Sequence, residues 1–542
     1  MNTPRPVDVI VIGAGHNGLV AANYLADAGR RVLVVEANDR IGGFTASQYA
    51  IPGAPEHLTH PYSFDPFFWD SFPPATELGL ERHGLRRVRV DPGLVYLDPE
   101  DASIGFWEDP RTTAAEIERF SRSDAAAYLE FARLLRAFSD VALAYFVTNP
   151  TRLDLRPLTR TLRQALRHRR HLRDIAALAT GSAAEAIAEL FTHPVVRNAL
   201  HAVAGSTIPN SADGSGASFL WLANQHRHSH QHPIGGVQAL PDALARRLTS
   251  VGGAVEVDAR VAEILVRGGR AAGVRLTDGR EFEAVEAVVA GCDPKTALGK
   301  LLAEGTLPAR LRSRVAAIPV RNGGYGQGKV DLAFSGRLSL ERFEKWRGDG
   351  LDLRRPMHVL ATEPGIERAF ARSAAGLLPH PDDFTMWNVI PTGVDPSQAP
   401  TGQDNFYCYL AVAPYEVEGG WDNPDPSGVT NRQLLGDAAV AKLARFYDGV
   451  DTLEIGRRVL TNEDFERLVG ASGGSITHVD MTLSRGGPRR PARGLAGYRT
   501  PVEGLFLGGS GSHPSGGITG APGYLAAREV LRSGGERGAR RR

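Results

Sequence analysis

Residues 7–18, Val7-Asp8-Val9-Ile10-Val11-Ile12-Gly13-Ala14-Gly15-His16-Asn17-Gly18, decide the fold. The first six form a β-branched run of the kind that makes a buried parallel strand, and they lead straight into a GxGxxG turn. Gly13 permits the tight bend, Gly15 lets the backbone approach a pyrophosphate, and Gly18 lets the following helix pack closely on the strand. Residues 19–28 have helical composition and stop at Gly29, and residues 31–35 supply a second strand that ends at Glu36. Amides at the helix start would face phosphates. The Glu36 carboxylate, 18 residues past Gly18, is placed to accept a hydrogen bond from an adenosine ribose. A lone GxGxxG says little, but strand, glycines, helix, second strand and terminal acid occur here in order within about thirty residues. The unit predicts an adenosine-diphosphate site, with His16, Asn17 and Ala37 as further contacts.

FAD and NAD share that half, so the unit does not separate them. After Glu36 the chain reads Ala37-Asn38-Asp39-Arg40-Ile41-Gly42-Gly43. This resembles the ExxxRxGG extension of flavoproteins of the glutathione-reductase and amine-oxidase types, whose arginine and glycines sit beside the FAD phosphates and ribityl chain. A middle stretch runs from Gly235-Gly236 through Leu240-Pro241-Asp242-Ala243-Leu244 and Val261 to a strand near Ala287-Val288-Val289-Ala290. In the related families it returns to the nucleotide domain, and the residue matching Val261 meets the adenine through its backbone. Near the C-terminus, Gly508-Gly509-Ser510-Gly511-Ser512-His513-Pro514-Ser515-Gly516-Gly517-Ile518-Thr519-Gly520-Ala521-Pro522-Gly523 forms a glycine-dense turn before a helix, again an anion-binding start.

That turn resembles the GxGTHPGGGxxGxPG signature of the carotenoid and retinoid oxidoreductases, the phytoene desaturase group. Within the group the GAGHNGL opening is most similar to the branch called pyridine nucleotide-disulfide oxidoreductase domain-containing protein 2. The resemblance frames almost the whole chain. It implies FAD as cofactor, with Gly509, Ser510, Gly517 and Ile518 beside it. Gly509-Ser510 stands where many such enzymes place an aspartate, and Ser512 replaces the threonine of the signature, so amides or a hydroxyl would take over that work. No second GxGxxG follows a strand, so a separate nicotinamide site is not expected. Nor is disulfide chemistry, despite the branch name.

The expected architecture is α/β: a Rossmann-like FAD-binding domain of the glutathione-reductase and amine-oxidase type, interleaved with an α+β substrate domain. FAD-binding segments fall at 1–74, 231–299 and 491–535, substrate segments at 75–230 (mostly helical) and 300–490, and a basic tail at 536–542. The 542 residues suffice for both domains. Net charge is +1, which gives no drive toward nucleic acid. Cys292 and Cys408 are far apart and suggest neither a dithiol couple nor a thiolate zinc site. No apolar run approaches the roughly 18 residues of a membrane span and the start lacks a charged signal region, so a cytoplasmic protein is expected.

The substrate segments hold several candidates. Residues 151–173 carry leucines at 155, 158, 162 and 166 and eight arginines, a pattern that suits either peripheral contact with anionic lipid or a solvated helix whose leucines pack on the core. His226, His228, His230 and His232 alternate, which on an extended strand would put four imidazoles on one face. With no acidic or cysteine partner nearby, no metal is expected. Lys329, one of only five lysines, lies in an alternating strand that resembles the one carrying the active-site lysine of flavin amine oxidases, where the ammonium holds a water at the flavin; an exposed strand lysine is the alternative. His478 and Asp480 match a family segment that approaches the flavin face, which makes His478 a catalytic candidate; a satisfied buried histidine is the alternative. His60, Phe64 and Asp65 would form part of a cavity mouth, or an aromatic satellite core.

The expected reaction is dehydrogenation or isomerisation of a small apolar, unsaturated substrate by hydride transfer to flavin, with oxygen or a quinone as electron acceptor. Flavin amine oxidation and a regulatory protein-binding role stand as alternatives.

Overall fold

The computed structural model describes residues 6–152, 155–205 and 215–540. Its opening unit is β1 (Val7–Ile12), α1 (His16–Asp27) and β2 (Val32–Val35). The two strands pair in parallel with Val9 opposite Val32 and Ile12 opposite Val35. On the other side of β1 lies Glu281–Ala290, also parallel, with Ile12 opposite Ala290. Ala254–Glu256 extends the sheet beyond β2, and Leu505–Leu507 pairs with the far edge of Glu281–Ala290. A hairpin, Val261–Arg267 with Arg270–Leu276, joins the N-terminal half of that long strand. One sheet thus collects strands from the beginning, middle and end of the chain.

The unbroken hydrophobicity of β1 follows from burial on both faces. Val9 and Val11 pack with Leu19, Leu244 and Leu525, whereas Ile10 and Ile12 pack with Leu33, Ile264 and Leu301.

A second seven-stranded sheet runs in the order Glu454–Leu460, Tyr325–Phe334, Asp404–Pro414, Met386–Val389, Met357–Leu360, Leu94–Leu97, Ser103–Phe106. Helices from residues 110–205 cover it and share its aromatic core, in which Tyr96, Tyr128, Phe131 and Tyr407 meet.

Two expectations are corrected. The arginine-rich stretch is not one helix: Leu155–Arg167 ends at His168, which pairs with Asp140 at 3.0 Å, and a short turn leads to Leu172–Thr180. Residues 153 and 154 and the side chain of Leu155 lie outside the described residues; Leu158 is half-buried, but Leu162 and Leu166 are 52% and 66% exposed, so this face does not pack on the core. The alternating histidines do not share a strand, because the helix Leu220–Gln225 runs up to His226 and only His230–Pro233 is extended, paired with Arg87–Val90. The basic tail continues the helix Ala521–Arg540; residues 541 and 542 lie outside the described residues.

Candidate active site

Gly13, with φ of +94°, makes the bend that only glycine adopts freely. A methyl group on Gly18 would stand 2.1 Å from the Gly13 carbonyl oxygen, so this position tolerates no side chain. Glu36 is buried at the end of β2, where it accepts from the amides of Ala14 (2.8 Å) and Asn38 (3.1 Å). Burial raises its pKa. The amide of Ala259 meets the Glu36 carbonyl at 2.7 Å, which brings the segment leading into Val261 beside Glu36 and Ala37. The following loop closes on the glycine turn through the Gly42 amide and the Ala14 carbonyl at 2.9 Å. Arg40 is exposed and braces that loop, its Nη1 donating to the Ser47 carbonyl at 2.6 Å.

The C-terminal turn faces the same helix start. Asn17 Nδ2 donates to Ser510 Oγ at 3.0 Å. A methyl on Gly509 would meet the Gly291 carbonyl at 2.4 Å, and one on Gly523 the Asn17 carbonyl at 1.9 Å, so the turn and the last helix press directly on the other segments. Arg490, a residue the sequence did not single out, organises this region. Its buried guanidinium donates to the carbonyls of Thr477 (2.7 Å), Ser510 (3.0 Å) and Val479 (3.1 Å). It thereby ties the segment of His478 and Asp480 to the glycine turn. Burial lowers its pKa to about 9.

Between these turns three buried polar atoms have no partner among the described residues: His16 Nε2, Asn17 Oδ1 and His478 Nδ1. Unsatisfied buried groups are costly, and their convergence at a helix start lined by glycine fits a dinucleotide with its polar tail. His478 also sits at φ of +62°, a strained setting for a side chain. Burial holds the imidazoles of His16 and His478 down to about 4, so both are neutral donors or acceptors at physiological pH.

A cavity of about 320 Å³ opens against this site. His16, Ser510, Gly517 and Ile518 form one wall, and Tyr62, Phe67, Trp221, Trp387 and Tyr407 form others. The rings lock one another: Phe67 and Trp221 are 4.5 Å apart between centroids, Trp221 and Trp387 4.7 Å. Asp65 is the only carboxylate among the described lining residues.

The remaining candidates divide. Asp65 lines the cavity, whereas Phe64 is buried in the aromatic core and His60 is buried away from the cavity lining. Lys329 is fully buried, not exposed; it pairs with Asp331 and stands 3.8 Å from the Tyr407 ring centroid, behind the cavity wall. Burial lowers the Lys329 pKa and raises that of Asp331. Asp480 is buried, its Oδ1 unpartnered. The histidines serve separate partners: His226 bonds Tyr128 Oη and the Trp107 carbonyl (both 2.7 Å), and His232 bonds Asp65 (2.8 Å). Trp221, Trp387 and Tyr407 were not legible as site residues, since aromatic side chains in apolar strands and helices read equally well as core.

The two opposed glycine turns and the cavity between them define a Rossmann-type dinucleotide-binding oxidoreductase. The chain belongs to the flavin containing amine oxidoreductase family, whose pattern matches residues 130–531, while residues 11–78 match the NAD(P)-binding Rossmann-like domain. It is 29% identical to pyridine nucleotide-disulfide oxidoreductase domain-containing protein 2 of Rattus norvegicus, over 97% of this chain and 93% of that one. It is 25% identical to a lycopene-forming phytoene desaturase of Pseudescherichia vulneris, over 97% and 98%. Cyclohexylamine oxidase of Brevibacterium oxydans shares the fold, with a TM-score of 0.56 at 18% identity over 97% of this chain and 99% of that one. The cofactor is FAD, which when bound supplies a two-electron acceptor; the glycine turns, Glu36, Asn17 and Ser510 are the residues that would hold it.

Proposed function

We propose that this oxidoreductase dehydrogenates or isomerises an apolar unsaturated substrate of isoprenoid or polyene type, and that oxygen or a quinone receives the electrons afterwards. The observation that carries this reading is the aromatic cavity, which shares His16, Ser510 and Ile518 with the cofactor turns and holds a single carboxylate among its described lining residues. Such a wall rewards burial of hydrocarbon and offers little to a polar ligand. The similarity to a phytoene desaturase supports the same substrate class.

A second reading, amine oxidation, draws on Asp65 itself, since a carboxylate beside Tyr407 and Phe67 would also hold an ammonium group. Product analysis separates the readings. The FAD-loaded enzyme is incubated with acyclic and cyclic isoprenoids and with primary amines, and the products are weighed by mass spectrometry. A hydrocarbon two hydrogens lighter marks dehydrogenation, one of equal mass and altered geometry marks isomerisation, and a carbonyl product from the amines alone would overturn the proposal.

The exposed Leu162 and Leu166, set among arginines, suit the surface of an anionic membrane from which such a substrate would be drawn. No helix among the described residues is long and apolar enough to cross a membrane. We place the protein in the cytoplasm with this helix as a peripheral contact.

A further inference from the structure

A single-file hydrogen-bond chain links the cofactor loop to the cavity. The Gln238 amide donates to Ser47 Oγ (3.2 Å), and Ser47 Oγ lies 2.9 Å from His60 Nδ1. His60 Nε2 meets Gln398 Oε1 at 2.7 Å, Gln398 Nε2 meets His232 Nε2 at 3.1 Å, and His232 Nδ1 meets Asp65 Oδ1 at 2.8 Å. An amide oxygen only accepts and an amide nitrogen only donates, so Gln398 fixes the direction of the other bonds: with both imidazoles neutral, each ring donates through one nitrogen and accepts through the other. Ser47 must donate to His60, His60 to Gln398, Gln398 to His232, and His232 Nδ1–H to Asp65. The Gln398 amide is held in that orientation twice more, by donation to Asp395 Oδ2 (3.1 Å) and by acceptance from Asn405 Nδ2 (3.4 Å). The far end is anchored to the cofactor loop, because Gln238 Nε2 donates to the Ile41 carbonyl at 3.2 Å and Arg40 to the Ser47 carbonyl at 2.6 Å.

Two consequences follow. The chain ends at a backbone amide, which does not give up its proton, so it positions groups and does not conduct protons. His232 is thereby committed to donating toward Asp65, which leaves that carboxylate as an acceptor at one oxygen. Asp65 Oδ2 has no hydrogen-bond partner among the described residues, and the residue lines the cavity.

We propose that Asp65 is the group that accepts the substrate proton, and that His232, Gln398 and His60 are positioning residues that hold its carboxylate in register with the FAD loop. This rests on the dehydrogenation reading. One C–H hydrogen leaves with its electron pair for the flavin. The hydrogen on the adjacent carbon leaves as a proton to Asp65 Oδ2, and its bonding pair becomes the new double bond. The acid so formed returns its proton to solvent once the product has left. Burial lifts the Asp65 carboxyl above the ordinary range, which makes it a stronger base than an exposed aspartate.

The test uses FAD-loaded wild type, Asp65→Asn, His232→Asn and His232→Leu. Octyltrimethylammonium and octanol are first compared as ligands by quenching of the cavity tryptophans. Wild type is expected to prefer the cation by at least about tenfold, and Asp65→Asn to lose the preference; equal binding in wild type overturns the assignment of an accessible carboxylate, whether or not any substrate turns over. Flavin reduction by an isoprenoid is then followed without oxygen. Asp65→Asn is expected to bind the isoprenoid as wild type does yet reduce flavin about 100-fold more slowly. His232→Asn, whose side-chain amide reproduces the donor, should keep kcat near wild type, while His232→Leu should lower kcat with KM unchanged. Undiminished reduction in Asp65→Asn sinks the proposal, and absence of turnover in wild type tells against the reaction class alone.

Discussion

Asn17 and Ser510, 493 positions apart, join side chain to side chain at 3.0 Å. The bond fastens the first glycine turn to the last, and Asn17 Oδ1 remains unsatisfied where the cofactor's polar chain would pass. Replacing Ser510 by Ala should cost about 1 kcal/mol of FAD binding, roughly a fivefold rise in Kd. Asn17→Leu should cost more, because it also removes Oδ1. Titration of apoprotein with FAD by flavin fluorescence gives both values, and unchanged Kd in both variants would remove this pair from the site.

Lys329 and Asp331 form a buried ion pair behind Tyr407. Lys329→Met strands a buried carboxylate and should lower stability by about 3–5 kcal/mol. Adding Asp331→Leu should restore much of the loss. Because the ammonium stands behind the cavity wall, the reoxidation rate of a folded Lys329→Met protein should stay close to wild type. A large slowing in stopped-flow mixing with oxygen would instead place the ammonium at the flavin.

The βαβ unit and the two glycine turns were legible because their grammar is local: Gly13, Gly18 and Glu36 fall within one unit, and the glycines around His513 signal their own turn. The Asp65–His232 pair was not, since its members stand 167 positions apart and meet only by tertiary packing, and the Arg490 cluster was not, since its acceptors are backbone carbonyls that leave no mark in a sequence. Alternation misled at His226 to His232 for a physical reason. A period of two implies a strand only where backbone partners exist, and Arg87–Val90 offers them to His230–Pro233 alone.

Acid should unfold the protein in a defined window. Burial holds His16, His226 and His513 down to about 4 in the folded state, against an ordinary value of 6.5. Between those values the unfolded chain binds more protons, so stability is whole above pH 6.5 and declines as pH falls toward 4. Each such histidine contributes up to about 1.4 kcal/mol per pH unit. Urea midpoints measured across that range should fall steeply, and a flat profile would mean that these imidazoles are not kept neutral.

The exposed Leu162 and Leu166 predict selective attachment to acidic vesicles. Sedimentation with phosphatidylglycerol vesicles should carry the protein down, phosphatidylcholine vesicles should not, and salt should reverse the attachment. Leu162→Ser with Leu166→Ser should abolish it without changing Tm, since neither side chain is buried.

The most direct test of the whole account is anaerobic mixing of the FAD-loaded protein with a stoichiometric apolar isoprenoid, watching the absorbance of oxidised flavin. Net dehydrogenation predicts bleaching in a single phase, reversed by admitting oxygen or a quinone. Persistent yellow colour with every isoprenoid, an unchanged substrate, and normal reduction by dithionite would contradict it and leave FAD as a structural element of a protein-binding module.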